Sequence, residues 1–143
     1  MYILVTGGAG YIGSHICKEL AKNGYTPVTI DNLSLGHRWA VKWGPFIKAD
    51  ISDRKCLNAL CKKYQFQGMI HLAALSNVRE SCLLPLSYYR NNIGGTLALL
   101  EAVKMYEIPF FVLSSSCSIY GVPKQVPIDE CHPKHPMNIY GES

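Results

Sequence analysis

The sequence predicts an α/β fold in which a parallel β-sheet is covered by helices on both faces. Short apolar runs rich in β-branched residues alternate along the chain with longer segments of helical period. The first of these runs ends in a glycine cluster that opens the first helical segment. With 48% hydrophobic and only 17% charged side chains, the 143 residues suffice for one core and hardly for two.

Tyr2 to Val5 is a short apolar run that ends in Thr6 and glycines, and it predicts a buried strand. From Tyr11 the apolar positions Ile12, Ile16, Cys17, Leu20 and Ala21 recur at helical spacing, and Asn23-Gly24 supplies the stop. Thr26 to Ile30 predicts the second strand. Asp31 to Pro45 mixes Asn, Ser, Gly and His with two tryptophans and predicts a loop with at most a short helix. Phe46 to Ala49 is the third strand. Asp53 then caps a helix whose Leu57, Leu60, Cys61 and Tyr64 form one apolar face. Gly68 to Leu72 predicts a fourth strand running into Ala73-Ala74. Pro85 opens a segment in which Ile93, Leu97, Leu100 and Val103 are expected to line a helix that ends near Tyr106. Phe110 to Leu113 is the fifth strand and delivers Ser114-Ser115-Ser116 at its carboxyl end. The alternation requires right-handed crossovers and the expected order 3-2-1-4-5, and ligands of such sheets bind beyond the carboxyl ends of the strands.

Composition excludes several classes of function. No apolar run reaches the roughly 18 to 20 residues of a membrane helix, and the N-terminus lacks a basic stretch followed by an apolar segment and a cleavage site. The net charge of +4 is spread along the chain, so a nucleic-acid partner has no electrostatic footprint. Six cysteines, none in a C-x-x-C pair, predict reduced thiols in a cytoplasmic protein. Cys131-His132-Pro133-Lys134-His135 offers three possible metal ligands, but no second ligand pair stands at zinc-site spacing. A surface loop without metal is expected there.

The chemistry begins at Thr6-Gly7-Gly8-Ala9-Gly10-Tyr11-Ile12-Gly13. This stretch fits G-x-G-x-x-G through Gly8, Gly10 and Gly13, and T-G-x-x-G-x-x-G through Gly7, Gly10 and Gly13. It follows a strand, opens a helix, and is answered by Asp31 at the end of the second strand. That context defines a doubly wound, Rossmann-type dinucleotide site. Absent side chains let a pyrophosphate reach backbone amides at the positive end of a helix. The Asp31 carboxylate can accept two ribose hydroxyls and would repel a 2′-phosphate, which favours NAD over NADP even with Arg38 nearby. Asp50 and Ile51, after the third strand, are candidates to hold the adenine, one by hydrogen bonding and one by packing.

VTGGAGYIGSH (5–15), DNLSLGH (31–37), KADISD (48–53), HLAALSNVRES (71–81), YYRNNIGGT (88–96), SSSCSIYG (114–121) and YGES (140–143) together span the chain. In these stretches the sequence resembles the extended short-chain dehydrogenase/reductase family, and within it the UDP-glucose 4-epimerases. The resemblance implies pyrophosphate contacts at Tyr11 and Ile12, ribose contacts at Asp31, Asn32, Leu33, Ser34, Leu35 and Gly36, and adenine contacts at Asp50 and Ile51. It implies a wall under the cofactor at Leu72, Ala73, Ala74, Leu75 and Ser76, and a cofactor-side asparagine at Asn91. Ser116 matches the serine that hydrogen-bonds the reacting sugar hydroxyl, and Tyr140 the catalytic tyrosine of Y-x-x-x-K. Ser76 departs from the lysine that many epimerases carry there. Cys117-Ser118 stand where sugar-nucleotide dehydratases carry an Asp-Glu pair, which disfavours dehydration.

The implied reaction inverts C4 of a UDP-hexose through a 4-keto sugar, with NAD as a recycled cofactor. An isolated tyrosine is ionised only about once in a thousand at neutral pH. A lysine ammonium about 5 Å away, at an effective dielectric of about 20, would contribute roughly 3 kcal/mol. The matching lysine falls just beyond Ser143. The expectation is therefore an NAD-binding Rossmann portion over residues 1–143, truncated after the fifth strand, with its substrate domain absent and catalysis incomplete. A non-catalytic NAD-binding or structural remnant is one alternative. An epimerase of another UDP-sugar, such as UDP-glucuronate or an N-acetylhexosamine, is the other. The resemblance implies a homodimer for the intact enzyme, as is usual in the family, and an uncovered fifth strand predicts self-association of this chain.

Overall fold

The computed structural model describes all 143 residues. They divide into two compact units, Met1–Ala74 with Gly94–Ser114, and Leu75–Ile93 with Ser115–Ser143.

The first unit is a five-stranded parallel sheet. β1 (Tyr2–Thr6) lies at its centre, beside β2 (Thr26–Asp31) on one side and β4 (Gly68–His71) on the other. β3 (Phe46–Lys48) and β5 (Phe111–Leu113) form the edges, in the order β3-β2-β1-β4-β5. This is the predicted order, and each strand falls within a residue or so of its expected bounds. Both faces of β1 are buried, as a parallel sheet demands. Leu4 joins Val28, Ile30 and Met69 in a core sealed by Leu57 and Leu60 of α2 (Arg54–Tyr64) and by Ala98, Leu99 and Ala102 of α5 (Gly95–Met105). Ile3 and Val5 point the other way, onto Cys17 of α1 (Tyr11–Lys22). Helix α1 stops at Asn23, where Gly24 takes a left-handed φ of 80°, and Asp53 caps α2 by accepting the Cys56 amide. The tryptophan-containing loop has one 3-10 turn, Arg38–Ala40.

The second unit contains α3 (Val78–Leu83), α4 (Pro85–Tyr88), a 3-10 turn at Cys117–Tyr120 and α6 (Ile139–Glu142). Helix α3 is not among the predicted elements, although Asn77 and Glu80 carry its signal: the Asn77 side chain accepts the Glu80 amide. In the 131–135 loop, His132 is buried with both ring nitrogens engaged. Its Nε2 accepts the Lys124 amide at 2.9 Å and its Nδ1 donates to the Pro133 carbonyl at 2.9 Å. No helix of the chain is long and apolar enough to cross a membrane.

One expectation is corrected. The core side of α5 is Gly95, Ala98, Leu99 and Ala102, not the stripe through Ile93, Leu97 and Leu100, which are exposed; of the expected face only Val103 packs on the core. Residues Tyr89–Gly94 form a π turn rather than an α turn. The extra residue per turn shifts the phase, so a 3.6-residue count carried through it picks the wrong face. Gly95 is required here, because a Cβ would strike the Ile51 side chain. Replacing Leu99, fully buried (0%), with alanine should destabilise the chain by about 2–5 kcal/mol in urea denaturation, whereas Leu97→Ala (52% exposed) should cost less than about 1 kcal/mol. Equal costs would restore the originally expected face.

Candidate cofactor and catalytic sites

The first unit gathers its polar groups where the central strands end. Gly7 turns the chain away from β1 with a left-handed φ of 69°, and its amide donates to Ile30 O at 3.0 Å. A Cβ on Gly7 would lie 2.8 Å from Ala73 N, and one on Gly13 would collide with Gly7 O. Both glycines therefore allow α1 to start directly against the turn. Gly10 is different, with only Gly7 O near its missing Cβ at 3.3 Å, so its outer side is open. No side chain caps Gly10, and no acidic residue stands in the first turn of α1. The amides of that turn are thus left for an external acceptor, with the positive helix end behind them.

Asp31 is 8% exposed and already holds two amides. Oδ2 accepts Ala9 N–H at 3.0 Å and Oδ1 accepts Leu33 N–H at 2.8 Å. Each oxygen keeps a second lone pair for a ligand hydroxyl. The carboxylate also ties the glycine turn to the following loop, a role the motif alone does not disclose. That loop lies on the turn: Leu33 takes a positive φ of 63°, Ser34 N–H reaches Asn32 Oδ1 at 2.9 Å, and His37 N–H reaches Ala9 O at 3.0 Å. Gly36 packs on Ala9 with no room for a Cβ, while Leu35 is exposed. Asn32 Nδ2 donates to Asp50 Oδ2 at 3.0 Å, which brings the ribose and adenine candidates together. The Ser52 hydroxyl is the main cause that lowers the Asp50 pKa, with the Ser52 amide and Asn32 assisting against burial. Ile51 has its side chain in the core, with 5% of the residue exposed. Arg38 lies over the Phe46 ring at 4.7 Å and donates to Val41 O.

At the end of β4 a hydroxyl organises the wall. Thr6 Oγ1 accepts Leu72 N–H at 3.1 Å and Ala73 N–H at 3.2 Å, which uses both lone pairs. Its one proton goes to His71 Nδ1 at 2.7 Å, so Nε2 carries the ring proton and donates to Thr96 Oγ1 at 2.9 Å. Burial lowers the His71 pKa to about 4. His71 opens the HLAALSNVRES stretch, but its chain of bonds is not signalled by the motif.

The second unit holds the rest of the candidates. Asn92, buried, pairs with the Leu75 backbone in both directions, accepting its N–H at 2.9 Å and donating to its carbonyl at 3.0 Å. Asn91, the sequence candidate, donates to Asn92 Oδ1 at 2.9 Å. Ser76 follows in the exposed stretch before α3. Ser116 starts the Cys117–Tyr120 turn, accepting Ser118 N–H at 3.2 Å and donating to Ser118 Oγ at 3.3 Å. Tyr140 lies in α6, whose Asn138 cap accepts Gly141 N–H at 2.8 Å. A Cβ on Gly141 would be 2.6 Å from Ser118 O, so this glycine lets α6 lie directly on the Ser116 turn. The serine and the tyrosine are thus carried on adjoining backbone segments.

The parallel sheet and its glycine turn define a class, the Rossmann-type α/β proteins, and the chain belongs to the NAD dependent epimerase/dehydratase family, which it matches over residues 3–143. It is 50% identical over 141 residues to the UDP-glucose 4-epimerase of Rhizobium leguminosarum bv. trifolii, covering 99% of this chain and 43% of that protein. It is 41% identical over 152 residues to the probable UDP-arabinose 4-epimerase 3 of Arabidopsis thaliana, covering 99% of this chain and 37% of that one. Among solved structures, the UDP-glucose 4-epimerase of Brucella ovis in complex with NAD superposes with a TM-score of 0.96 at 48% identity, over 99% of this chain and 43% of that one. The chain thus spans less than half the length of these relatives.

His71 gives the first unit an acid-sensitive core. Between pH 6.5 and about 4 the unfolded chain takes up a proton that the folded chain refuses. The contribution of His71 is therefore intact above pH 6.5 and is lost as the pH falls towards 4, a range of ~2.5 units worth roughly 3 kcal/mol. Urea midpoints measured from pH 7.5 to 4 should fall more steeply for the parent chain than for His71→Gln; parallel profiles would show that His71 does not titrate this way.

Proposed function

We propose that these residues form the cofactor-binding portion of a UDP-hexose 4-epimerase acting on UDP-glucose and UDP-galactose, with the domain that grips the sugar nucleotide lying outside residues 1–143. The observation that carries this reading is the uncapped start of α1, closed from behind by Gly7 and Gly13 and flanked by Asp31. This cradle suits a pyrophosphate joined to a ribose, and the family match supplies the reaction class. The NAD complexes among its structural relatives identify the dinucleotide.

NAD, when bound, would supply a hydride acceptor and donor, so that a C4 centre can be erased and rebuilt. The amides of Tyr11 and Ile12 would hold the pyrophosphate. Asp31 would accept the ribose hydroxyls, with Asn32 to Gly36 shaping that pocket. Asp50 and the Ile51 backbone would read the adenine edge. Leu72 to Ser76 would back the cofactor, and Asn91 would stand on its other side. The Ser116 hydroxyl would exchange its long bond to Ser118 for one to the C4 hydroxyl of the sugar. Tyr140 as phenolate would take the C4 hydroxyl proton and later return it to the keto oxygen, which makes it a general base and then a general acid. A neutral phenol is a poor base at pH 7, so a neighbouring cation is required for turnover.

Calorimetric titration should show that the chain binds NAD⁺ more tightly than NADP⁺, and that Asp31→Ala weakens NAD⁺ by about 10- to 100-fold with circular dichroism unchanged. A parent chain that ignores NAD⁺ would sink the reading. Conversion of UDP-galactose to UDP-glucose by the 143-residue chain alone would refute the division of labour proposed here.

Self-association belongs to the same proposal, because β5 is an edge strand on which Val112 and Leu113, with Phe110 just before it, are exposed. Light scattering should report species larger than a monomer at micromolar concentration, and a clean monomer would count against it.

A further inference from the structure

Tyr140 is held through its backbone from both ends. Ser81 on α3 is completely buried (0%), and its Oγ donates to Val78 O at 2.6 Å while accepting Tyr140 N–H at 3.1 Å. Amides in the first turn of a helix have no acceptor within that helix. Asn138 takes the Gly141 amide, and Ser81 takes the one belonging to Tyr140 itself. At the other end, Ser143 Oγ donates to Tyr140 O at 3.2 Å and accepts from Asn92 Nδ2 at 2.9 Å. Asn92 is in turn paired with the Leu75 backbone. The close approach of α6 to Ser118 at Gly141 leaves no space for it to move on that side.

We propose that Ser81 is a positioning residue for Tyr140: its hydroxyl, fixed by Val78 O, sets where the Tyr140 backbone lies and so where the phenol stands. This rests on the reading of Tyr140 as the group that moves the C4 proton. Ser81 touches no reacting atom and acts only through the Tyr140 amide. The site needs a group that donates and accepts at once in a closed space, and a hydroxyl does both. Alanine would leave the Tyr140 amide without its partner, and cysteine would fill the space with a sulfur that accepts weakly. A displacement near 1 Å at a proton-transferring group is enough to cost on the order of 10²-fold in rate.

The test is amide hydrogen exchange by NMR on the 143-residue chain, with the Tyr140 Cζ resonance as a second readout and the Leu4 amide in β1 as the folding control. Ser81→Ala and Ser81→Cys should each speed exchange at Tyr140 about tenfold and move or broaden its Cζ resonance, with Leu4 unchanged. Ser81→Thr, which keeps the hydroxyl, should restore both signals. Tyr140 exchange and Cζ signals that stay at parental values in the alanine and cysteine variants would overturn the proposal. Equal acceleration at Leu4 and Tyr140 would overturn it as well, since the effect would then be general loss of stability. NAD⁺ titration of the parent chain reports separately on the epimerase reading, because failure to bind would count against that reading whatever the exchange data show.

Discussion

The first unit depends on where β1 stops. Thr6 is the last residue of the central strand, and its hydroxyl is the point at which three chain segments are joined. Leu72 and Ala73 donate to it from the end of β4, and it donates to His71, whose other nitrogen reaches Thr96 in α5. Every partner in that chain has one permitted proton arrangement, because the two amides exhaust the lone pairs of Thr6. A wall of the proposed cofactor site is therefore placed by the same bonds that fasten a core helix to the sheet. Parallel strands give no tight hairpins to set their ends, so polar ties of this kind fix the register where it matters for binding.

One residue beyond Thr6 the constraint becomes steric. The backbone must reverse into α1 while passing Ala73 on one side and its own next turn on the other, and the glycines at 7 and 13 are what allow it. The N-cap position of α1 is itself a glycine, Gly10, so the first amides of the helix have no capping side chain. Asp31 completes the arrangement by binding the turn and the loop after β2 with its two oxygens while retaining acceptor capacity. Packing, caps and ligand capacity are thus consequences of a single tight reversal. Such coupling explains why a nucleotide site can be read from glycine spacing when most sites cannot.

The sequence is legible wherever a residue's role is repeated or local. Five strands, α1 and α2 follow from period and from stop signals, and the Asp53 cap forms as its position implies. The α5 face is not legible because the π turn ahead of it breaks the count, and because its core residues are Gly, Ala, Leu and Ala while larger apolar residues stand outside. An all-apolar helix does not announce its inner side. Asp31, Asp50 and Ser116 were found by motif, but their existing bonds to Ala9, Ser52 and Ser118 were not. The bonds of His71, Ser81, Asn92 and His132 are not legible in the sequence for one physical reason. Each of these residues has a polar side chain whose partner is a backbone group or hydroxyl that only the fold brings near, and such pairing leaves no periodic trace.

The two units also achieve order by different means. In the first, strand ladders and two apolar cores fix the backbone, and side-chain hydrogen bonds refine it. In the second, α3 and α4 have six and four residues, below the length at which a helix persists on its own. Their order is carried by polar side chains reaching backbone groups: the exposed Asn77 to the Glu80 amide, and the buried Tyr88 with both backbone groups of Asn77, Asn92 with Leu75, and Ser81 with Tyr140. A buried hydrogen bond contributes little on average but costs much to leave unmade. A segment ordered this way is specified in position more strongly than it is stabilised. The Tyr140 amide is fixed in this way, by a buried hydroxyl rather than by a strand ladder or an apolar core.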